Sequence, residues 1–166
     1  MTKEEIIEKG NFIFNEHNPK RSEFEINLNL DFFGKSQEIL FANLPSLGSE
    51  PKMTVITETI NELLNYNLSN KEWLKDEIWK HYENCVENTS YGMVPDEGFE
   101  NEVDANRAYF KVYNREDAYN AVELDKIWID IDFTEFRHFN LSYRCPWDDE
   151  HGINIGVKNG KFDSIY

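Results

Sequence analysis

Hydrophobic and polar residues alternate over residues 23–32, which places Phe24, Ile26, Leu28, Leu30 and Phe32 on one face of an extended chain. That period of two predicts a strand with one buried side. Residues 11–16 read as its partner, joined to it through His17-Asn18-Pro19-Lys20-Arg21, where Asn-Pro and the polar residues after it suit a turn. The two are expected to form an antiparallel hairpin. Pro45, Gly48 and Pro51 interrupt any regular period over residues 43–53 and predict a loop that leads from sheet to helix.

From Thr54 the period lengthens. Ile56, Ile60, Leu63, Leu64 and Asn67 follow helical spacing with Glu58, Asn61 and Glu62 on the other side, so a first helix is expected to run to about Asn67. Ser69-Asn70-Lys71-Glu72 matches a capping box, in which the Ser hydroxyl accepts from the third backbone N–H and the Glu reaches back to the Ser N–H. A second helix is expected from there to about Asn88, with Trp73, Leu74, Ile78, Tyr82, Cys85 and Val86 on its apolar face. The short link between the two predicts an antiparallel helical hairpin.

Residues 108–113 read as a strand and residues 115–120 as a helical turn. Ile127, Ile129, Ile131 and Phe133 then alternate with Trp128, Asp130, Asp132 and Thr134. Phe139, Leu141, Tyr143, Cys145 and Trp147 share a face, and Ile153, Ile155 and Val157 alternate with Asn154 and Gly156. Asn159-Gly160 is the dipeptide of a type I′ turn and aligns Val157 with Phe162 in a closing hairpin. The pattern predicts one α+β domain over residues 1–166, a mainly antiparallel sheet with a two-helix hairpin packed on one face.

Charge narrows the partners. Seventeen Lys plus Arg stand against 32 Asp plus Glu, a net charge of −15, while aromatic residues make up 14% of the chain. The aromatic content argues against disorder, and the charge argues against nucleic acid, whose phosphates need clustered Lys and Arg. Residues 81–106 hold seven acids and no Lys or Arg, with Asp96, Glu97, Glu100, Glu102 and Asp104 in the segment that reads as an exposed acidic loop. The amino end carries acids where a signal peptide needs a basic region, and residues 39–49, the longest uncharged apolar-rich stretch, fall short of the roughly 20 residues that span a bilayer. A cytoplasmic protein without membrane contact is expected. Cys85 and Cys145 lack metal or redox spacing and read as free thiols of a reducing compartment.

The densest polar cluster is Trp147-Asp148-Asp149-Glu150-His151-Gly152. Three carboxylates and an imidazole could ligate a divalent ion or supply an acid/base pair, yet the spacing matches neither H-E-x-x-H nor an EF-hand loop. A five-residue loop between two strands is the simpler reading, with Asp148 opening a type I turn and Gly152 in the left-handed region. Asp130 and Asp132 share a strand face as paired carboxylates would, but a half-exposed sheet explains them as well. His17, His81 and His138 are scattered, and no nucleophile elbow or phosphate loop is present, so neither a cofactor nor a metal is expected.

The C-terminal third, a strand ending in Tyr143-Arg144-Cys145-Pro146-Trp147 followed by Asp148-Asp149-Glu150-His151-Gly152-Ile153, resembles a family of small bacterial domains of unknown function with a W-D-x-E-H-G-[LI] motif. Trp147, Asp148, Glu150, His151 and Gly152 match that motif, with Asp149 at its variable place. The resemblance covers residues 20–166 and implies an immunity-like interaction role beside polymorphic toxins, with no activity to carry over. The expected function is therefore a non-catalytic acidic domain that neutralises a basic, toxin-like protein partner. Its contacts are expected at Asp96, Glu97, Glu100, Glu102 and Asp104 and at Trp147, Asp148, Asp149, Glu150 and His151. A metal-dependent hydrolase using the 148–151 cluster and a structural or stress-related domain are the alternatives.

Overall fold

A computed structural model describes residues 1–18, 22–42, 50–92, 98–130 and 138–166. Among them, seven strands form one sheet in chain order: β1 (Asn11–Ile13), β2 (Glu23–Leu30), β3 (Lys35–Ala42), β4 (Glu123–Asp130), β5 (His138–Cys145), β6 (Asp148–Lys158) and β7 (Lys161–Ile165). Five helices accompany it: α1 (Lys3–Lys9), α2 (Glu50–Leu64), α3 (Leu68–Asn88), α4 (Glu102–Phe110) and α5 (Arg115–Ala121). Every neighbouring pair of strands is antiparallel except β3 and β4, which run parallel with Ile39 beside Ile127.

That parallel pair changes the architecture expected from the sequence. Parallel neighbours need a long crossover, and residues 43–122, which contain α2 to α5, form that connection. The two-helix hairpin on the sheet is therefore incorrect. Helix α2 borders α1, whereas α3 takes α4 and α5 as its helical neighbours. Lys75 on α3, buried to 7% exposure, bridges Glu72 on its own helix and Glu116 on α5, and Arg115 reaches Glu72 at 2.7 Å and Asp76 at 2.6 Å. Burying a lysine requires such pairing, so α5 is fastened to α3 rather than left as an isolated turn.

One apolar core lies between the helices and one sheet face. Phe24, Ile26, Leu28 and Leu30 of β2, Ile39 and Phe41 of β3, Phe139 and Leu141 of β5 and Ile155 of β6 meet Ile56, Ile60 and Leu63 of α2 and Leu74, Ile78 and Tyr82 of α3. Of the predicted apolar face of the first helix, Ile56, Ile60 and Leu63 are buried while Leu64 is 39% exposed and Asn67 lies exposed beyond the helix; on α3 the predicted Leu74, Ile78, Tyr82 and Val86 are buried. On the opposite face Trp128 Nε1 donates to Ser142 Oγ at 3.2 Å, Ser142 Oγ donates to Asn154 Oδ1 at 2.5 Å, and Tyr166 donates to Asn140 Oδ1 at 3.2 Å.

Several predicted boundaries move. The 11–16 strand is confined to Asn11–Ile13, in the expected antiparallel pairing with Phe12 beside Phe24. Residues 43–49 lie outside the described residues, but residues 50–53 of the predicted loop are helical, and α2 ends at Leu64. The cap of α3 is Asn67, whose side chain accepts from Ser69 N while Asn70 reaches back to Asn67 N, two residues before the predicted Ser69 box. Residues 108–113 are not a strand. Asn101 caps α4, Ala105 and Asn106 turn inward, and Lys111 ends the helix in the left-handed region at φ 57°. The helical turn at 115–120 is α5, capped by Asn114. Strand β4 starts earlier than its alternation, at Glu123, and Ile131, Asp132, Phe133 and Thr134 lie outside the described residues. The final hairpin pairs Val157 with Phe162 as expected.

Candidate functional site

The Trp147 segment is built differently from a five-residue loop. Cys145 pairs with Asp148, so the chain reverses over Pro146 and Trp147, and residues 148–152 already belong to β6. Tyr143 next pairs with Ile153, which leaves Arg144 alone opposite residues 149–152, a wide bulge in the ladder. Gly152 closes it at φ 66°, and a Cβ there would lie 2.3 Å from the Tyr143 carbonyl oxygen. The glycine is required both by the left-handed backbone and by the close approach. Asp148 Oδ1 accepts from His151 N at 3.2 Å and lies 3.0 Å from His151 Nδ1, so the bulge carries an Asx-type closure.

Trp147 anchors this tip from inside. It is 2% exposed, its ring meets Tyr82 edge to face at 4.9 Å, its Nε1–H donates to His81 Nδ1 at 3.2 Å, and its carbonyl accepts from Tyr91 OH at 2.8 Å. Indole N–H is only a donor, so His81 Nδ1 carries its lone pair and the imidazole is the neutral Nε2–H tautomer. Burial depresses the His81 pKa, with the nearby Asp148 carboxylate opposing that shift. Burial likewise raises the Cys85 thiol and pushes Cys145 up to about 12. Cys85 Sγ lies 3.7 Å from His81 Nδ1, yet both thiols are held protonated, the wrong state for a nucleophile.

The remaining tip residues face outward. Asp149, Glu150 and His151 are exposed and Asp148 is partly so. With Asp125, Lys126, Ser142, Arg144 and Asn154 the bulge borders a shallow cleft of about 230 Å³, in which Arg144 Nε donates to Asp125 Oδ1 at 2.7 Å. Among the described residues no three His, Cys, Asp or Glu side chains gather closely enough to hold a metal ion.

Of the acidic segment, Asp96 and Glu97 lie outside the described residues. Glu100 is exposed, Glu102 Oε1 accepts from Ser90 Oγ at 2.7 Å, and Asp104 accepts from Asn101 Nδ2 at 3.0 Å. Consecutive residues at the end of α3 therefore bind both candidate segments: Ser90 holds Glu102, and Tyr91 holds the Trp147 carbonyl while stacking edge to face on Phe110 at 5.0 Å. The pattern of the sequence does not single out His81 and Tyr91 as supports. The available signal was the His81–Cys85 spacing of one helical turn, which places the imidazole on the partly apolar side of α3. The Asp130 and His138 side chains and Asp132 lie outside the described residues, and His17 is exposed beyond β1.

Fold and site together define an α+β domain whose β5–β6 tip presents Asp149, Glu150 and His151 to the surface. The chain belongs to the DUF6985 family, a domain of unknown function, whose model matches residues 13–165. No curated protein and no solved structure matches it. No helix among the described residues is long and apolar enough to cross a membrane.

Proposed function

We propose that this chain is a non-catalytic protein-binding domain whose acidic end neutralises a basic protein partner, as an immunity protein does with a toxin. The observation that carries the reading is the joint anchoring of Glu102 by Ser90 and of the Trp147 tip by Tyr91. It ties one residue of each acidic segment, Glu102 and Trp147, to the neighbouring residues Ser90 and Tyr91 just past α3, on a molecule of net charge −15. A field of one sign speeds encounter with an oppositely charged protein and sets specificity more than area does. Trp147 contributes as the buried anchor of the tip.

The reading is tested by capture on the tagged protein from a lysate of the source cell at low and high salt. A basic protein retained at about 50 mM salt and released at several hundred millimolar is expected, because exposed charge pairs are screened over about 10 Å at 0.1 M. Retention of no basic protein at either salt contradicts it.

A further inference from the structure

We propose that His81 is a proton-controlled latch: in its neutral form it holds Trp147 and the β5–β6 tip, and on protonation it lets go of them. The proposal rests on the reading of the tip as part of the contact surface and adds a means of regulating it.

The geometry is that of a bond with a single permitted protonation state. Trp147 Nε1 can only donate, and it lies 3.2 Å from His81 Nδ1. A proton on Nδ1 would set two N–H groups head to head at that distance, turning an attraction into a repulsion. Trp147 is 2% exposed, so its indole N–H has no water to turn to in place of the imidazole. Leaving a buried donor unsatisfied is costly, and the repulsion is relieved when the half-buried imidazole and the indole part, the indole moving off its seat on Tyr82. Because Asp148 follows Trp147 directly, displacement of the indole is transmitted to the bulge that carries Asp149 and Glu150.

The groups facing the imidazole set when this happens. From α3 itself comes the Cys85 thiol, 3.7 Å from Nδ1. From β6 comes Asp148, which favours the protonated form and which contacts the exposed His151. Tyr91, beyond α3, bonds the Trp147 carbonyl, and Cys145 of β5 bonds the Asp148 carbonyl at 3.5 Å. Arg107 of α4 acts on the neighbouring Tyr82. Burial outweighs Asp148, so the proton enters below the ordinary histidine range.

The test is a pH titration of the full chain by nuclear magnetic resonance, following the indole Nε1–H signals of Trp73, Trp79, Trp128 and Trp147 together with the histidine ring signals. The Trp147 signal is expected to shift and exchange faster with water on acidification, with the midpoint of the His81 ring and below 6.5. In His81→Asn, whose amide oxygen replaces Nδ1 as acceptor but does not titrate, the Trp147 signal is expected to stay fixed over the same range. His151→Gln removes the other nearby imidazole and is expected to leave the transition unchanged. A Trp147 signal that does not move with His81 in the unmodified chain overturns the latch, and so does a transition that follows His151. Because this signal is read without a partner, failure to capture any basic protein at pH 7.5 counts against the binding surface alone.

Discussion

At Gly152 two separate constraints meet, a φ of 66° and a Cβ position only 2.3 Å from the Tyr143 carbonyl oxygen. Gly152→Ala is expected to lower the unfolding free energy by about 2 kcal/mol or more, through left-handed strain and a backbone collision, measured by urea denaturation. A change under about 0.5 kcal/mol would mean that the bulge relaxes. The left-handed glycine was legible in the sequence, because a glycine after four polar residues signals a turn. The position of the reversal was not: Pro146 and Trp147 sit in an unbroken apolar alternation, and only pairing partners reveal that the ladder turns there. For His81 the one-turn spacing from Cys85 marks the side of α3 it lies on but not its role, which is set by Trp147, a residue far away in the chain. Its depressed pKa gives stability a definite pH dependence. Below about 6.5 the unfolded chain takes up a proton that the folded chain resists, so this contribution is intact above that pH and is lost as the pH falls through the lower folded value. Equilibrium unfolding between pH 7.5 and pH 5 is expected to show a smaller acid loss in His81→Asn than in the unmodified chain. Equal losses would assign the acid effect to other groups.

Elements were legible wherever one period dominates a segment. The alternation of β2, the helical stripe of α3 and the Asn159-Gly160 turn all survive, because each buries one continuous face. Helix α1 and strand β3 went unread: α1 presents a single buried residue, Ile6, and β3 places the polar Gln37 at 3% exposure on its inner face. Helix α4 is not legible in the pattern, which shows an acidic loop up to Asp104 and a strand over 108–113, because its buried residues are Ala105 and Asn106, neither of which marks an apolar stripe. The start of α3 offers a direct check on cap assignment. Asn67→Ala is expected to cost about 1 kcal/mol, whereas Ser69→Ala is expected to stay within about 0.5 kcal/mol, both by thermal or urea unfolding. The reverse order would place the cap at Ser69, where the sequence pattern alone puts it.

At the scale of the whole molecule, the parallel β3–β4 pair could not be read from local pattern, since parallel and antiparallel neighbours bury similar residues. It is the crossover through residues 43–122 that sets α3 across the sheet and brings the end of α3 against both the 98–104 segment and the β5–β6 tip. The sequence indicated the two acidic segments, and in the fold one residue of each is bonded by Ser90 or Tyr91 just past α3. A net charge of −15 attracts any basic partner, so what distinguishes a binding surface is where on the molecule the acids act rather than their total. The most direct test reverses three exposed acids at the proposed surface, Glu100→Lys, Asp149→Lys and Glu150→Lys together, and compares them with Glu8→Lys, Glu16→Lys and Glu38→Lys on α1, beyond β1 and on β3, which change the net charge equally. Retention of the basic partner at low salt is expected to be lost in the first set and kept in the second. Equal loss in both sets would contradict a localised binding surface and leave only unspecific attraction to an acidic protein.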